Sequence, residues 1–396
     1  MDEKAQQVRE MFGRTGNGPL AGLVVADFAR VLAGPMATMM LADLGATVIK
    51  VESPGGDDTR AWKPPVRDDD ATYYLSVNRN KIDVVLDFRD EDDLALAREL
   101  ALRADVLVEN FKPGGLAKYG LDHDTVVKTN PSIIYSSVTG FGSHNPMPGY
   151  DLLVQGLSGF MSITGDPEGE PQRAGVAMFD VMTGLHTTIG ILAALQHRNA
   201  TGEGQKVDTN LLSSALSGLA NQTSAYVAAG VVPQRMGNAH PSVYPYQPYP
   251  TAEGELIVAC GNDKQFAVLA ACCGHPEWAE DPRFARAHDR IDNRAVFDPI
   301  LLEALAQKDA QEWYRIFSEA GLPCAPINTI GQGVDYAEEL GLEPVAMTRT
   351  GEREIPTVRN PIRLSKSPVT YDLAPPALGQ DSEAVKEWLS QEWDRR

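Results

Sequence analysis

Cysteine is scarce: four in 396 residues, Cys260, Cys272, Cys273 and Cys324. They form no C-x-x-C pair and none of the spacings of a zinc site. A disulfide scaffold and a cysteine metal centre are thereby excluded, no bound metal is expected, and the reducing cytoplasm is the expected location. Positive charge is also in short supply. Thirty-five Lys and Arg against 54 Asp and Glu leave a net charge of −19, which opposes long-range attraction to nucleic acid or an anionic membrane, so neither is an expected partner. Any anionic ligand must find a local basic patch. The longest apolar stretches break at Asp27, Arg30 or Asp43, short of the roughly 18 residues of a membrane span. The acidic start Met1-Asp2-Glu3-Lys4 predicts no signal or transit peptide. There is no G-x-G-x-x-G after a strand, no Walker A loop, no H-E-x-x-H and no G-x-S-x-G. Nicotinamide, P-loop, zinc-protease and serine-hydrolase readings lose their main support.

What is present is an ordinary globular mix, 43% hydrophobic and 22% charged, long enough for two domains at roughly 150 residues each. A polar lead-in ends at Gly16-Asn17-Gly18-Pro19. Apolar runs then alternate with helical periodicity. Strands are predicted over 23–26, 46–51, 105–108 and 132–137. Helices are predicted over 36–44, closed by Gly45, and over 91–103, capped by Asp90. This order predicts an α/β fold, a Rossmann-like doubly wound parallel sheet with ligand chemistry at the strand C-terminal ends. From about residue 225 the chain turns Pro- and aromatic-rich, as in His240-Pro241-Ser242-Val243-Tyr244-Pro245-Tyr246-Gln247-Pro248-Tyr249-Pro250. That density argues against a central strand or helix there. A large domain over 19–224 is expected, then a smaller α+β domain over 225–335. The smaller domain is expected to hold a strand at 256–259 and helices near 263–273, 293–307 and 309–320. Residues 336–396 return to the large domain, with turns at Pro361, Pro368 and Pro375-Pro376 and a short helix over 383–389.

The segment Arg173-Ala174-Gly175-Val176-Ala177-Met178-Phe179-Asp180 ends a small-residue run in one carboxylate, and an apolar helix follows from about Val181 to His197. On residue type alone, Asp180 caps that helix, with His197 and Arg198 at its other end. Thr183 stands where a capping box would carry Glu or Gln.

Several ordered blocks give the chain a more specific likeness. They are Pro19-Leu20-Ala21-Gly22 running into Leu32-Ala33-Gly34-Pro35, Asp43-Leu44-Gly45-Ala46-Thr47-Val48-Ile49-Lys50-Val51-Glu52, Asn78-Arg79-Asn80-Lys81, Val108-Glu109-Asn110-Phe111-Lys112-Pro113-Gly114, and Thr201-Gly202-Glu203-Gly204-Gln205-Lys206-Val207-Asp208. From Pro19 to Asp381 the chain resembles the class III (CaiB/BaiF-like) CoA-transferases, which include formyl-CoA transferase, carnitine CoA-transferase and alpha-methylacyl-CoA racemase. The resemblance implies that Asp180 is the nucleophile, forming an acyl-aspartyl anhydride and then an aspartyl-CoA thioester. CoA acts as substrate and carrier, and acyl-CoA and a carboxylic acid are the partners. It also implies CoA contacts at Leu32 and Ala33, at Asn78, Arg79, Asn80 and Lys81, at Asn110, Phe111 and Lys112, and at Lys118. Ser53 and Thr139 replace an Arg and a Lys of the formyl enzyme, so Arg60 becomes a candidate phosphate contact.

Within the family, Gly56-Asp57-Asp58-Thr59-Arg60, Tyr73-Tyr74-Leu75-Ser76-Val77-Asn78-Arg79-Asn80-Lys81 and Gly175-Val176-Ala177-Met178 are most similar to the succinyl-CoA:glutarate CoA-transferases. That implies a dicarboxylate acceptor, with Arg173, His240 and Arg60 as candidate cations for its distal carboxylate. The resemblance further implies an interlocked homodimer. The racemase branch is the rival, but it carries a Gly-His-Asp triplet where this chain has Gly149-Tyr150-Asp151, and a tyrosine with pKa near about 10 is a poor substitute for that His. A noncatalytic CoA-binding protein is the third reading, in which Asp180 is only a helix cap.

Overall fold

A computed structural model describes residues 8–14 and 18–392. The start of the polar lead-in and the expected turn residues Gly16-Asn17 lie outside them. The chain divides into two compact units: Met1–Gly159, Ala174–Gly230 and Glu343–Arg396 form the larger, and Phe160–Arg173 with Val231–Leu342 the smaller. The short stretch Phe160–Arg173 thus groups with the small unit.

The larger unit is built on strands β1 (Val24–Asp27), β2 (Thr47–Glu52), β3 (Lys81–Val85), β4 (Val106–Glu109), β5 (Ile134–Thr139) and β6 (Gln205–Asn210). All pairings are parallel, in the order β3-β2-β1-β4-β5-β6. This is the strand order of a doubly wound sheet, whose ligand crevice opens where the order reverses, between β1 and β4. Strands β1, β2 and β4 are buried along their whole length, as parallel strands covered on both faces must be. Neither β3 nor β6 was expected. In β3, Lys81 and Asp83 alternate with Ile82 and Val84, and in β6 polar residues suit an edge position.

The main helices of this unit are α1 (Ala33–Asp43), α2 (Glu91–Arg103), α3 (Asp151–Leu157), α4 (Met178–Thr201) and α5 (Leu211–Gly218). Helix α1 starts three residues before its expected position because Pro35 is tolerated in a first turn, where its missing N–H costs no helical bond. Asp90 caps α2 as expected, accepting from the N–H groups of Asp92 and Asp93. One sheet face packs Ala26, Ile49, Ile82 and Leu107 against Leu100 and Ala101 of α2 and against Val385 and Trp388. Alternation turns Asp27, Lys50 and Lys81 to the opposite face. Helix α4 packs on α1, α5, β5 and β6. It is long and apolar enough to cross a membrane by length and composition, contrary to the expectation that every apolar stretch ends short of a span, and it uses that apolar character in packing within the larger unit.

In the small unit, Tyr246–Pro250 pairs antiparallel with Glu255–Ala259, which also pairs with Cys324–Ala325. The Pro-rich stretch therefore does supply a strand. It lies at the sheet edge, where Pro248 and Pro250 forgo no needed donor. Phe266, Phe297, Trp313 and Phe317 fill the core between helices Asp263–Cys272, Arg294–Leu305 and Ala310–Glu319. The returning tail holds more than turns: Val345–Thr350 and Arg353–Val358 form a hairpin, and Ser382–Ser390 a helix.

Candidate active site

The crevice is framed by the turn leaving β1. Asp27 accepts from the Ala29 N–H, from Thr38 Oγ1 at 2.7 Å and from Lys81 Nζ at 3.0 Å. Val31 follows at φ 71°, a left-handed conformation that is strained for a β-branched residue and needs support. Its N–H donates to Asp57 Oδ2 at 3.2 Å, and Asp57 also accepts from Lys50 Nζ at 3.0 Å and from Thr59. Burial opposes the Asp57 charge, but the Lys50 ammonium and the Thr59 donors outweigh it and hold the carboxyl below its usual range. Asn110, at the end of β4, clasps the same turn: its Oδ1 accepts from Arg30 N at 3.0 Å and its Nδ2 donates to Arg30 O at 2.7 Å.

Helix α4 reaches this turn because of Gly184, on which a Cβ would lie 2.8 Å from the Ala33 carbonyl oxygen, while Gly34 lets the start of α1 fold tightly against Ala29. Asp180 sits one turn before Gly184. On either side of it, Ala177 and Val181 pack with Val31 and Tyr73 against the Leu32–Met39–Val77 cluster.

Asp180 is not the cap of its helix. Helix α4 begins at Met178, so Asp180 lies inside the first turn, and the N-cap residue Ala177 offers no side-chain bond. The cap comes from Asp151 on α3, whose Oδ2 accepts from the N–H groups of Phe179 at 2.7 Å and Asp180 at 3.2 Å. Gln155 donates to Asp151 Oδ1 and accepts from Ala174 N at 2.8 Å, tying the small-residue run to α3. Burial first, and then the Asp151 charge, push the Asp180 carboxyl up to about 7. Tyr73 faces the same group. Burial, then the charges of Asp180, Asp151 and Asp57, push its phenol up to about 12. Its ring meets Trp62 edge-on at 4.9 Å.

The residue types expected to touch CoA are placed in two groups. Leu32 and Ala33 line the turn beside α4, and Phe111 and Lys112 line an open cavity at the ends of β4 and β5 with His123, Tyr135, Thr139 and Lys206. Lys118 is exposed, its ammonium 4.6 Å above the Tyr119 ring. The second group turns inward. Arg79 grips Asp43 through Nε at 3.0 Å and Nη2 at 2.6 Å and reaches Thr357. Asn80 donates to Asp43 and to the Thr370 carbonyl, and Lys81 bonds Asp27, Asn78 and the Pro35 carbonyl. Burial pulls Lys81 down to about 8 against the opposing charge of Asp27. Arg60 forks onto Glu52 at 2.9 and 2.8 Å and stacks 3.7 Å above the Tyr74 ring. The polar atoms of Asn78, Arg79, Asn80, Lys81 and Arg60 thus have partners within the protein, and they brace the crevice from behind. Arg173 and His240 belong to the small unit, where His240 Nδ1 accepts from Ser242 N and its ring meets Tyr246.

Two site residues went unread in the sequence. Tyr73 was noticed only within a resembling block. Asp151 was noticed only for the tyrosine before it, and no local pattern announces a cap supplied from 29 residues away in the chain.

CoA-transferase family III matches residues 20–382. The chain belongs to that family. It is 43% identical over 385 residues to a succinate–glutarate CoA-transferase of Agrobacterium fabrum, covering 93% of this chain and 94% of the relative. It is 39% identical over 374 residues to the succinyl-CoA:glutarate CoA-transferase of Homo sapiens, covering 91% and 84%. Among solved structures, a CaiB/BaiF family protein from Brucella suis superposes with a TM-score of 0.84 at 42% identity, covering 94% of this chain and 100% of that one. The protein is therefore an enzyme of the CoA-transferase class.

Proposed function

We propose that this enzyme moves CoA from succinyl-CoA to a dicarboxylate such as glutarate, with Asp180 as the covalent nucleophile. The observation that carries this reading is the place of Asp180. It is a half-buried carboxylate in the first turn of α4, capped by another residue and set beside the crevice turn at Val31–Leu32. An Asp180 oxygen attacks the thioester carbonyl, the C–S bond breaks, and the thiolate leaves with the electron pair. The thiolate then attacks the aspartyl carbonyl of the anhydride and expels the donor acid. The acceptor carboxylate attacks the resulting aspartyl-CoA thioester, the thiolate departs again, and its attack on the new acyl carbonyl restores Asp180.

Lys112 and Lys206, which line the cavity beyond β4 and β5 together with Glu109, Asp122 and Asp124, would hold CoA phosphates, Lys206 by leaving its ion pair with Asp208. Asn78, Arg79, Asn80, Lys81 and Arg60 would act by fixing the crevice walls. For the distal carboxylate the candidates are Arg173 and His240. An interlocked homodimer is also proposed. It is supported by Leu185 and Ile189 on α4, exposed at 37% and 63%, and by helix Ile330–Glu339, which buries no residue within the chain. Large apolar faces of this kind suit a second copy of the chain. We place the enzyme in the cytoplasm, where four unpaired thiols persist.

The test is mass-spectrometric exchange of succinyl-CoA against a panel of mono- and dicarboxylic acids, with a chiral 2-methylacyl-CoA in deuterated water as a second arm. Exchange onto dicarboxylates without α-deuteration supports the reading. Rapid α-deuteration without exchange would replace it with racemisation.

A further inference from the structure

The carboxylate of Asp151 does two things at once at the start of α4. Through Oδ2 it accepts the N–H groups of Phe179 and Asp180, donors that a helix leaves unsatisfied. It also brings a negative charge to the helix end where the dipole is positive. A first-turn Asp at an open helix end is stabilised as the anion and made less basic. Here burial and the Asp151 charge act the other way on Asp180. The other titratable group facing it is the Tyr73 phenol, itself near Asp57. On α4 the next titratable residue is His186, whose ring is turned to Ser214 Oγ at 3.0 Å. Of the helices packed on α4, α5 carries no charged residue and α1 only Asp43 at its far end. Asp151 is itself held, since Gln155 clamps its second oxygen. Close contact of Gly149 with Gly140, where an added Cβ would lie 2.5 Å from backbone, seats the loop before it.

Resting on the transferase reading, we propose that Asp151 is a positioning residue for Asp180, capping α4 through the Phe179 and Asp180 N–H groups and setting its own carboxylate beside the nucleophile. The consequence is directional. An anhydride opened by a thiolate expels the weaker base more readily. Substrate carboxylates have pKa values of about 4 to 5. With Asp180 the stronger base, attack at the aspartyl carbonyl breaks the bond to the substrate acid, and that acid leaves with the electron pair while the aspartyl-CoA thioester forms. The same basicity slows the last step, in which the thiolate must expel Asp180 from the second anhydride, so both anhydrides partition toward the aspartyl-CoA thioester.

Asp151→Asn keeps a capping oxygen, because Asn caps as well as Asp, and removes the charge. Asp151→Glu keeps the charge. The carboxyl C=O band of Asp180 is titrated by infrared difference spectroscopy, subtracting Asp180→Asn, in a measurement that needs no turnover. The expected midpoint is about 7 for the native enzyme. We expect Asp151→Asn to lower it by about one pH unit or more and to move the acid limb of kcat/KM by the same amount, with a modest fall in thermal midpoint because the new Nδ2 faces the Gln155 donor. Asp151→Glu is expected to keep the raised midpoint. A native midpoint in the ordinary Asp range, or one that Asp151→Asn leaves in place, would overturn the proposal. The expected titration in a protein that exchanges no acids would sustain the coupling of the two carboxylates and contradict the transferase reading, so the two failures are distinguishable.

Discussion

Arg79 and Asp43 form a two-pronged ion pair, Nε to Oδ1 at 3.0 Å and Nη2 to Oδ2 at 2.6 Å, with both side chains almost wholly buried. Asn80 and Asn360 also donate to the Asp43 carboxylate, so the pair joins α1, the approach to β3 and the returning tail. Removing one partner of a buried pair strands the other, at a cost of roughly 3–5 kcal/mol. Arg79→Ala is therefore expected to lower the unfolding free energy, read from denaturant titration, by that much. CoA affinity, measured by calorimetry on protein that remains folded, should stay within about threefold of native, a change under 1 kcal/mol. A large loss of affinity with unchanged stability would instead put the guanidinium on the ligand.

The cavity lysines make the opposite prediction. Lys112→Ala and Lys206→Ala remove exposed cations, and folding stability should change by less than about 0.5 kcal/mol. A charge-assisted bond to a phosphate contributes about 1.5–3 kcal/mol. Each variant should therefore raise the KM for acyl-CoA roughly tenfold or more, with kcat retained and the effect shrinking as salt rises. Equal KM values for native and variant enzymes would remove both residues from the site.

Asp83 gives the fold a pH dependence. Its carboxyl is pushed well above the usual range by burial and by the neighbouring Glu52 charge. The folded chain therefore holds a proton that the unfolded chain releases at lower pH, and stability falls as pH rises from the ordinary carboxylate range toward the folded-state value. Asp83 Oδ1 accepts from Gly379 N, and the Asp83 N–H donates to Asp381, so the loosening should begin where the tail is fastened to β3. Denaturant unfolding at about pH 5 and about pH 8 should show a decline in the native protein that Asp83→Asn flattens. An equal decline in both would assign the effect elsewhere.

Gly184 sets how closely α4 approaches the crevice. In Gly184→Ala the new Cβ would meet the Ala33 carbonyl at 2.8 Å, and overpacking of this kind costs about 1–3 kcal/mol. Since Asp180 rides on the same helix, kcat should fall by tenfold or more, roughly 1.4 kcal/mol of barrier. Native kcat in a correctly folded Gly184→Ala would show that the approach does not position the nucleophile.

Much of the sheet was legible because parallel strands such as Val24–Asp27 and Val106–Glu109 are short runs of three apolar residues ending in one carboxylate and flanked by periodic helices. Strand β3 was not, because its buried face carries Lys81 and Asp83. Lys81 is paired with Asp27, while Asp83 is held protonated by burial and accepts from Gly379 N in the tail, and partners arranged across tens or hundreds of residues leave no local pattern. The same holds for the site. Asp180 stood out as one carboxylate ending a small-residue run, whereas its cap, Asp151, follows from packing alone. The family resemblance implied ligand contacts at Arg60 and Arg79, yet residue type could not distinguish a cation facing a ligand from one facing an interior carboxylate.

The central claim is that an Asp180 oxygen becomes acylated during turnover. It is tested by mixing enzyme with succinyl-CoA, quenching with hydroxylamine and locating the adduct by peptide mass spectrometry. The account predicts a hydroxamate on Asp180 that is absent without thioester and absent in Asp180→Asn, which should also lose exchange. Exchange at native rate by Asp180→Asn, or a hydroxamate found only on another residue, would contradict it.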